Sequence, residues 1–176
     1  MALYRYKNFS PTIGKECFVA PSADVIGRVT LGDFTSIWFG VIVRADVNEI
    51  IIGNKSNVQD ISMLHVTEKH GLYIGDEVTI AHSVTLHGCI IGNNCLIGMG
   101  ATVLDGAEIS EQSVIAAGSV VAPGKKFPPR SLIKGFPAKA ERELTAEELV
   151  KYSENFQNYI MYRGQFLDPK QFSLIS

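Results

Sequence analysis

Several things are scarce in this 176-residue chain, and each scarcity excludes something. There are three cysteines, Cys17, Cys89 and Cys95, with no CxxC pair and an odd count, so no disulfide framework is expected. Cys89 and Cys95 read instead as small buried apolar side chains. Lys and Arg never gather into a run of five, and the net charge is −2, which argues against a nucleic-acid partner. No apolar stretch approaches the roughly 20 residues that a membrane-spanning helix needs. The opening MALYRYKNFSPT lacks the apolar core of a secretory leader, so cytoplasm is the expected compartment.

What the chain does have is a period. Ile, Leu or Val recurs every six residues from Ile13 to Val43, then at Ile52, Val58 and Leu64, then at Ile74, Ile80 and Leu86, and again from Ile91 to Val121. The next position is often Gly or Ala (Gly14, Ala20, Gly32, Gly53, Gly75, Gly92, Gly98), and four positions on stand small residues such as Thr35, Ser62, Ala101 and Ser119. An aliphatic, a turn-permissive residue and a small filler in a short period predict a parallel β-helix, three units to a triangular coil, with the aliphatics stacked along the axis. Three surplus residues between Val43 and Ile52, and four between Leu64 and Ile74, are expected to leave the coil as loops at its corners. The expected organisation is a β-helix domain over 1–137, then a C-terminal turn and helix over 138–176. That helix should open at the capping box Thr145-Ala-Glu-Glu148. Its stripe of Leu149, Tyr152, Phe156, Tyr159 and Ile160 should pack on the β-helix or on a neighbouring subunit.

Histidines interrupt this regularity. Imidazole is the commonest neutral metal ligand, and three protein ligands with one open position describe a catalytic zinc site. With the surplus residues removed, Arg44, His65 and His87 fall in one column, in a slot elsewhere filled mostly by Gly or Ala. His65 and His87 then stack at roughly the 4.8 Å spacing of adjacent strands, close enough to share one metal. His82 faces a different edge, above Asp60. One subunit therefore cannot close a three-histidine site. A cyclic trimer can, with His82 of one chain meeting His65 and His87 of the next. His70, in the second loop, is expected to be solvated.

The ordered set Arg44-Ala-Asp46, Asn57-Val-Gln59-Asp60, His65 and His82-x4-His87-Gly88 resembles the γ-class carbonic anhydrases, in particular their shorter bacterial members. The likeness extends through the GFPAK turn to Asn158-Tyr159-Ile160 on the helix. It implies an all-β fold, a left-handed parallel β-helix with a C-terminal helix, assembled as a homotrimer with zinc (or iron or cobalt) between subunits. Carried over, His65, His82 and His87 are the metal ligands, and Gln59 hydrogen-bonds the metal-bound water or bicarbonate. Arg44, Asp46 and Asp60 form a network across the interface, and Tyr159 lies over the pocket. The reaction implied is reversible hydration of carbon dioxide. In carbonic anhydrases generally, the dication lowers the pKa of its bound water from about 15.7 to about 7, so hydroxide is available at neutral pH.

The chain departs from the family's fully active members where protons leave. Val47 stands where an acidic residue would follow Asp46, and the loop after His65 is short, with Glu68 and His70 as its shuttle candidates. Two other readings therefore stand beside the first. One is a hexapeptide acyltransferase that uses a single histidine as base on a CoA thioester. The other is a catalytically weak, metal-bound assembly subunit.

Overall fold

The computed structural model describes residues 2–173 and 175. Its strands are mostly two or three residues long, because each six-residue unit turns a corner before it can extend further. Parallel pairing links each unit to the equivalent unit one coil away, and the result is a three-faced prism. The first face carries Met63–His65, Thr85–His87, Thr102–Val103 and Val120–Val121. The second carries Leu72–Ile74, Ile90–Ile91, Glu108–Ile109 and Lys126–Phe127. The third runs from Phe18–Val19 through Ser36–Ile37, Asn57–Val58, Thr79–Ile80, Leu96–Ile97 and Val114–Ile115 to Ser131–Gly135.

The aliphatic period is the core, as the sequence predicts. Val43, Leu64, Leu86, Val103 and Val121 stack in register inside the first face, every one fully buried. Ile37, Val58, Ile80, Ile97, Ile115 and Ile133 form the matching column of the third face. Of the repeat positions only Ile13, on the first coil, is partly exposed.

Two surplus segments were expected to loop out, and only one does. Residues 66–71 form a loop closed by Thr67 N donating to His70 O at 3.0 Å and His70 N donating to Thr67 Oγ1 at 2.9 Å. The three extra residues after Val43 instead sit inside one continuous strand, Ile42–Ile52, which bends round a corner and belongs to both faces. Its partner Asp24–Leu31 pairs Gly27 with Ala45 and then Val29 with Ile50, so the excess is taken up as a bulge. A bulge re-aims side chains without breaking the ladder on either side, and this one displays Asp46, Val47 and Asn48. Gly27 makes it possible: at φ +81°, a Cβ there would lie 2.2 Å from the Ala45 carbonyl oxygen.

The stretch 138–143, grouped with the C-terminal turn in the sequence reading, is a strand. Ala138–Glu143 folds back antiparallel on Ser131–Gly135 and ends the third face. The helix follows at Ala146–Leu167 with its capping box formed: Glu148 N donates to Thr145 Oγ1 at 3.2 Å, and Thr145 N to Glu148 Oε2 at 2.9 Å. It reaches back to the first coils, where Tyr159 and Phe166 pack with Phe172 on Phe18, Trp38 and Phe39. No helix among the described residues is long and apolar enough to cross a membrane.

Candidate metal centre

The column read from the period is present. Arg44 pairs with His65, and His65 with His87, in the parallel ladder of the first face. Each follows a buried aliphatic, so the strand's alternation turns all three side chains outward. His65 Nδ1 lies 3.0 Å from His87 Nε2. Two nitrogens at tetrahedral positions on one zinc, each about 2.0–2.1 Å from it, would stand about 3.3 Å apart. A few tenths of an ångström of ring movement therefore separates this pair from the spacing of a shared metal.

The outer nitrogens of the two rings are taken by carboxylates. His65 Nε2 donates to Asp46 Oδ1 at 3.0 Å, and His87 Nδ1 donates to Asp105 Oδ1 at 2.6 Å. An ionised carboxylate only accepts, so the outer nitrogen of each ring carries a proton, and the two inner nitrogens, in hydrogen-bond contact with each other, are the pair a metal would share. Asp46 also receives Arg44 Nη1. Burial pushes the Asp46 carboxyl up, but hydrogen bonds from His65, its own backbone and Arg44 outweigh this and hold it below the ordinary range.

The other expected residues lie on a different corner, between the third and first faces. His82 lies directly one coil above Asp60, its Nδ1 in ion-pair contact with Asp60 Oδ2 at 2.9 Å. The His82 side chain is 44% exposed against 17% for His65, so it projects from the prism rather than resting on it. Gln59 is buried beside this corner, its Nε2 donating to Asn57 Oδ1 at 3.1 Å. Tyr159 packs edge-on against Trp38 at 5.3 Å, and its hydroxyl is pushed up to about 12 by burial and then by the nearby charges of Asp60 and Tyr162.

The chain thus brings together Arg44, Asp46, His65 and His87, and places Gln59, Asp60, His82 and Tyr159 elsewhere. Among the described residues, no three His, Cys, Asp or Glu side chains of one copy form a metal-holding group. Sequence reasoning missed Asp105. The available signal was its register: it lies one coil above Gly88, the residue after His87, and Gly88 leaves the space that the carboxylate enters. His70, expected in solvent, is half-buried, its ring lying against Gly106 and its Cβ close to Gly88.

Residues 88–123 match the bacterial transferase hexapeptide (six repeats) family. The chain is 44% identical to a carbonic anhydrase of Geobacillus kaustophilus over 169 residues, which are 96% of this chain and 92% of that one. It is 43% identical to gamma carbonic anhydrase 2, mitochondrial, of Arabidopsis thaliana over 86% of this chain, and spans 56% of that longer relative. Among solved structures, a hexapeptide transferase family protein from Anaplasma phagocytophilum has a TM-score of 0.89 at 39% identity, covering 93% of this chain and 96% of that one.

Proposed function

The chain belongs to the γ-class carbonic anhydrase family, and from that membership we propose that it hydrates carbon dioxide reversibly to bicarbonate at a metal centre shared between the subunits of a homotrimer. The observation that carries the reading is the stacked His65–His87 pair with inner nitrogens 3.0 Å apart and outer nitrogens held by carboxylates. Metal-binding histidines are buttressed in this way, and the donor set of neutral imidazoles suits zinc, with iron or cobalt as alternatives. His65 Nδ1 and His87 Nε2 would hold the dication with His82 of the next copy, whose Nδ1 is already occupied by Asp60 and whose Nε2 is therefore the ligating atom. The dication would supply a lowered pKa for coordinated water, and with it a hydroxide nucleophile near neutral pH.

The chain's own residues do the rest. Gln59, its amide nitrogen engaged by Asn57, keeps a carbonyl oxygen to accept a hydrogen bond from water or bicarbonate. Arg44 fixes Asp46, which fixes His65, so that one guanidinium orders the near side of the centre. Tyr159, held neutral, closes the opposite corner together with Trp38. Protons leave by way of Glu68, which borders the same cleft as Asp46, Val47, Asn48, Lys7 and Arg28. The exposed Val47 contributes no carboxylate there, so turnover is slow for the family. Cytoplasm is the proposed setting, where the three free thiols would stay reduced.

Acyl transfer from CoA would need one histidine as base, and would leave three histidines, each held by its own aspartate, without a task. The test is carbon dioxide hydration by stopped flow on protein holding one zinc per chain, with His82→Ala alongside. Rates above buffer that vanish in the variant support the proposal. A zinc-loaded trimer with no rate above buffer refutes it.

A further inference from the structure

We infer that Asp105 is the positioning residue for His87: it fixes the ring so that Nε2 faces the metal, and without it the centre loses most of its hold on the metal. The inference rests on the metal reading above and adds a residue outside the Arg44, Asp46, Asp60 and Gln59 set.

Four observations carry it. The contact is short, 2.6 Å from His87 Nδ1 to Asp105 Oδ1, as expected of a charge-assisted bond. Among the described residues, the only ion contact of Asp105 is to His87, whereas Asp46 divides its charge between Arg44 and His65. The carboxylate comes from the next coil, on a corner tied by Gly106 N to Gly88 O at 2.7 Å and by Gly124 N to Asp105 O at 2.8 Å. The backbone also keeps the approach open. Gly88 has φ +53°, and a Cβ there would sit 2.9 Å from Asp105 Oδ1.

The physical need is plain. An imidazole can flip about its Cβ–Cγ bond or move its proton between nitrogens, and either change would aim an N–H at the place where the metal must sit. Asp105 removes both alternatives, because an acceptor opposite Nδ1 is satisfied only when Nδ1 carries the proton. Asp46 does this for His65 and Asp60 for His82. With Asp105, all three histidines have one nitrogen committed and one presented. Removing such a partner characteristically weakens metal binding about 10–100-fold.

The experiment is competition for zinc between a chromogenic chelator and the zinc-loaded protein, for wild type, Asp105→Ala, Asp105→Asn and, as a control on the second face, Glu108→Ala, whose carboxylate pairs with Lys126 and not with a histidine. In parallel, histidine nitrogen-15 shifts report which nitrogen of His87 carries the proton. Asp105→Ala should bind zinc about 10–100-fold more weakly, with the His87 proton no longer confined to Nδ1. Asp105→Asn, which keeps the shape and an oxygen acceptor, should recover most of the affinity, a rescue that loss of folding would not explain. Glu108→Ala should match wild type. Wild-type affinity in Asp105→Ala, or an unchanged His87 tautomer there, overturns the inference while leaving the metal centre intact. A wild-type protein that holds no zinc overturns the metal reading itself.

Discussion

Truncating Leu86 to alanine should test how the axial column supports the site. Leu86 is fully buried, pairs in register with Leu64 on one side and Val103 on the other, and is followed at once by His87. Leu→Ala in a core costs about 2–5 kcal/mol, more where the surroundings cannot collapse into the space. Here the neighbours above and below are fixed by parallel ladders at strand spacing, so collapse along the axis is blocked. A loss of about 3–4 kcal/mol per chain is expected, a shift of roughly 300-fold in the unfolding equilibrium at about 1.4 kcal/mol per decade. The assay is guanidinium unfolding followed by circular dichroism, with zinc chelated and protein concentrations equal, since any assembly makes apparent stability concentration-dependent. Glu108→Ala, which removes only a surface ion pair with Lys126, should cost no more than about 1 kcal/mol. A loss below about 1 kcal/mol for Leu86→Ala would refute a close-packed axis behind the histidines.

Three further outcomes follow from the same geometry. Arg142 chelates the Glu148 carboxylate with two contacts of 2.7 Å and holds its pKa at about 2 against an ordinary 4.5. The pair and the helix cap therefore contribute fully above about pH 4.5 and fade as pH falls toward 2; Glu148→Gln should flatten that part of a melting-temperature profile. Burial pushes the thiols of Cys89 and Cys95 up to about 12, so iodoacetamide at pH 8 should label Cys17 alone in the native protein and all three thiols after denaturation. Gly27→Ala puts a Cβ against the Ala45 carbonyl at φ +81°, and should cost more than about 1 kcal/mol as well as weaken zinc binding, because the bulge that aims Asp46 must shift; unchanged chelator competition would contradict that coupling.

The period made much of the molecule readable, because six residues per face assign each position an orientation. Val43, Leu64 and Leu86 face the axis, and therefore Arg44, His65 and His87 face out in one column. The same arithmetic set His82 over Asp60 on another corner. Legibility failed where spacing alone permits two solutions. Three surplus residues can leave as a loop or stay as a bulge, and only the pairing of Gly27 with Ala45 shows that Ile42–Ile52 took the second course. The Ala138–Glu143 strand has five exposed residues after Ala138 and no apolar alternation to announce it. Asp105 stands two positions after Val103, as Gly88 stands two after Leu86, so the period sets its register but not its residue type. Its meaning comes from the residue opposite, Gly88, which is a three-dimensional neighbour seventeen positions away.

The proposed metal centre takes His65 and His87 from one copy and His82 from the next. Subunit mixing tests it most directly. His82→Ala and His65→Ala are each expected to lack zinc and carbon dioxide hydration when assembled alone. Unfolded together in equal amounts and refolded, three-quarters of cyclic trimers would be mixed, each with one of its three directed interfaces intact. Recovery of about a quarter of wild-type zinc and activity is expected in that mixture. A mixture as empty as its parents, or a His82→Ala protein that keeps its zinc unaided, would contradict it.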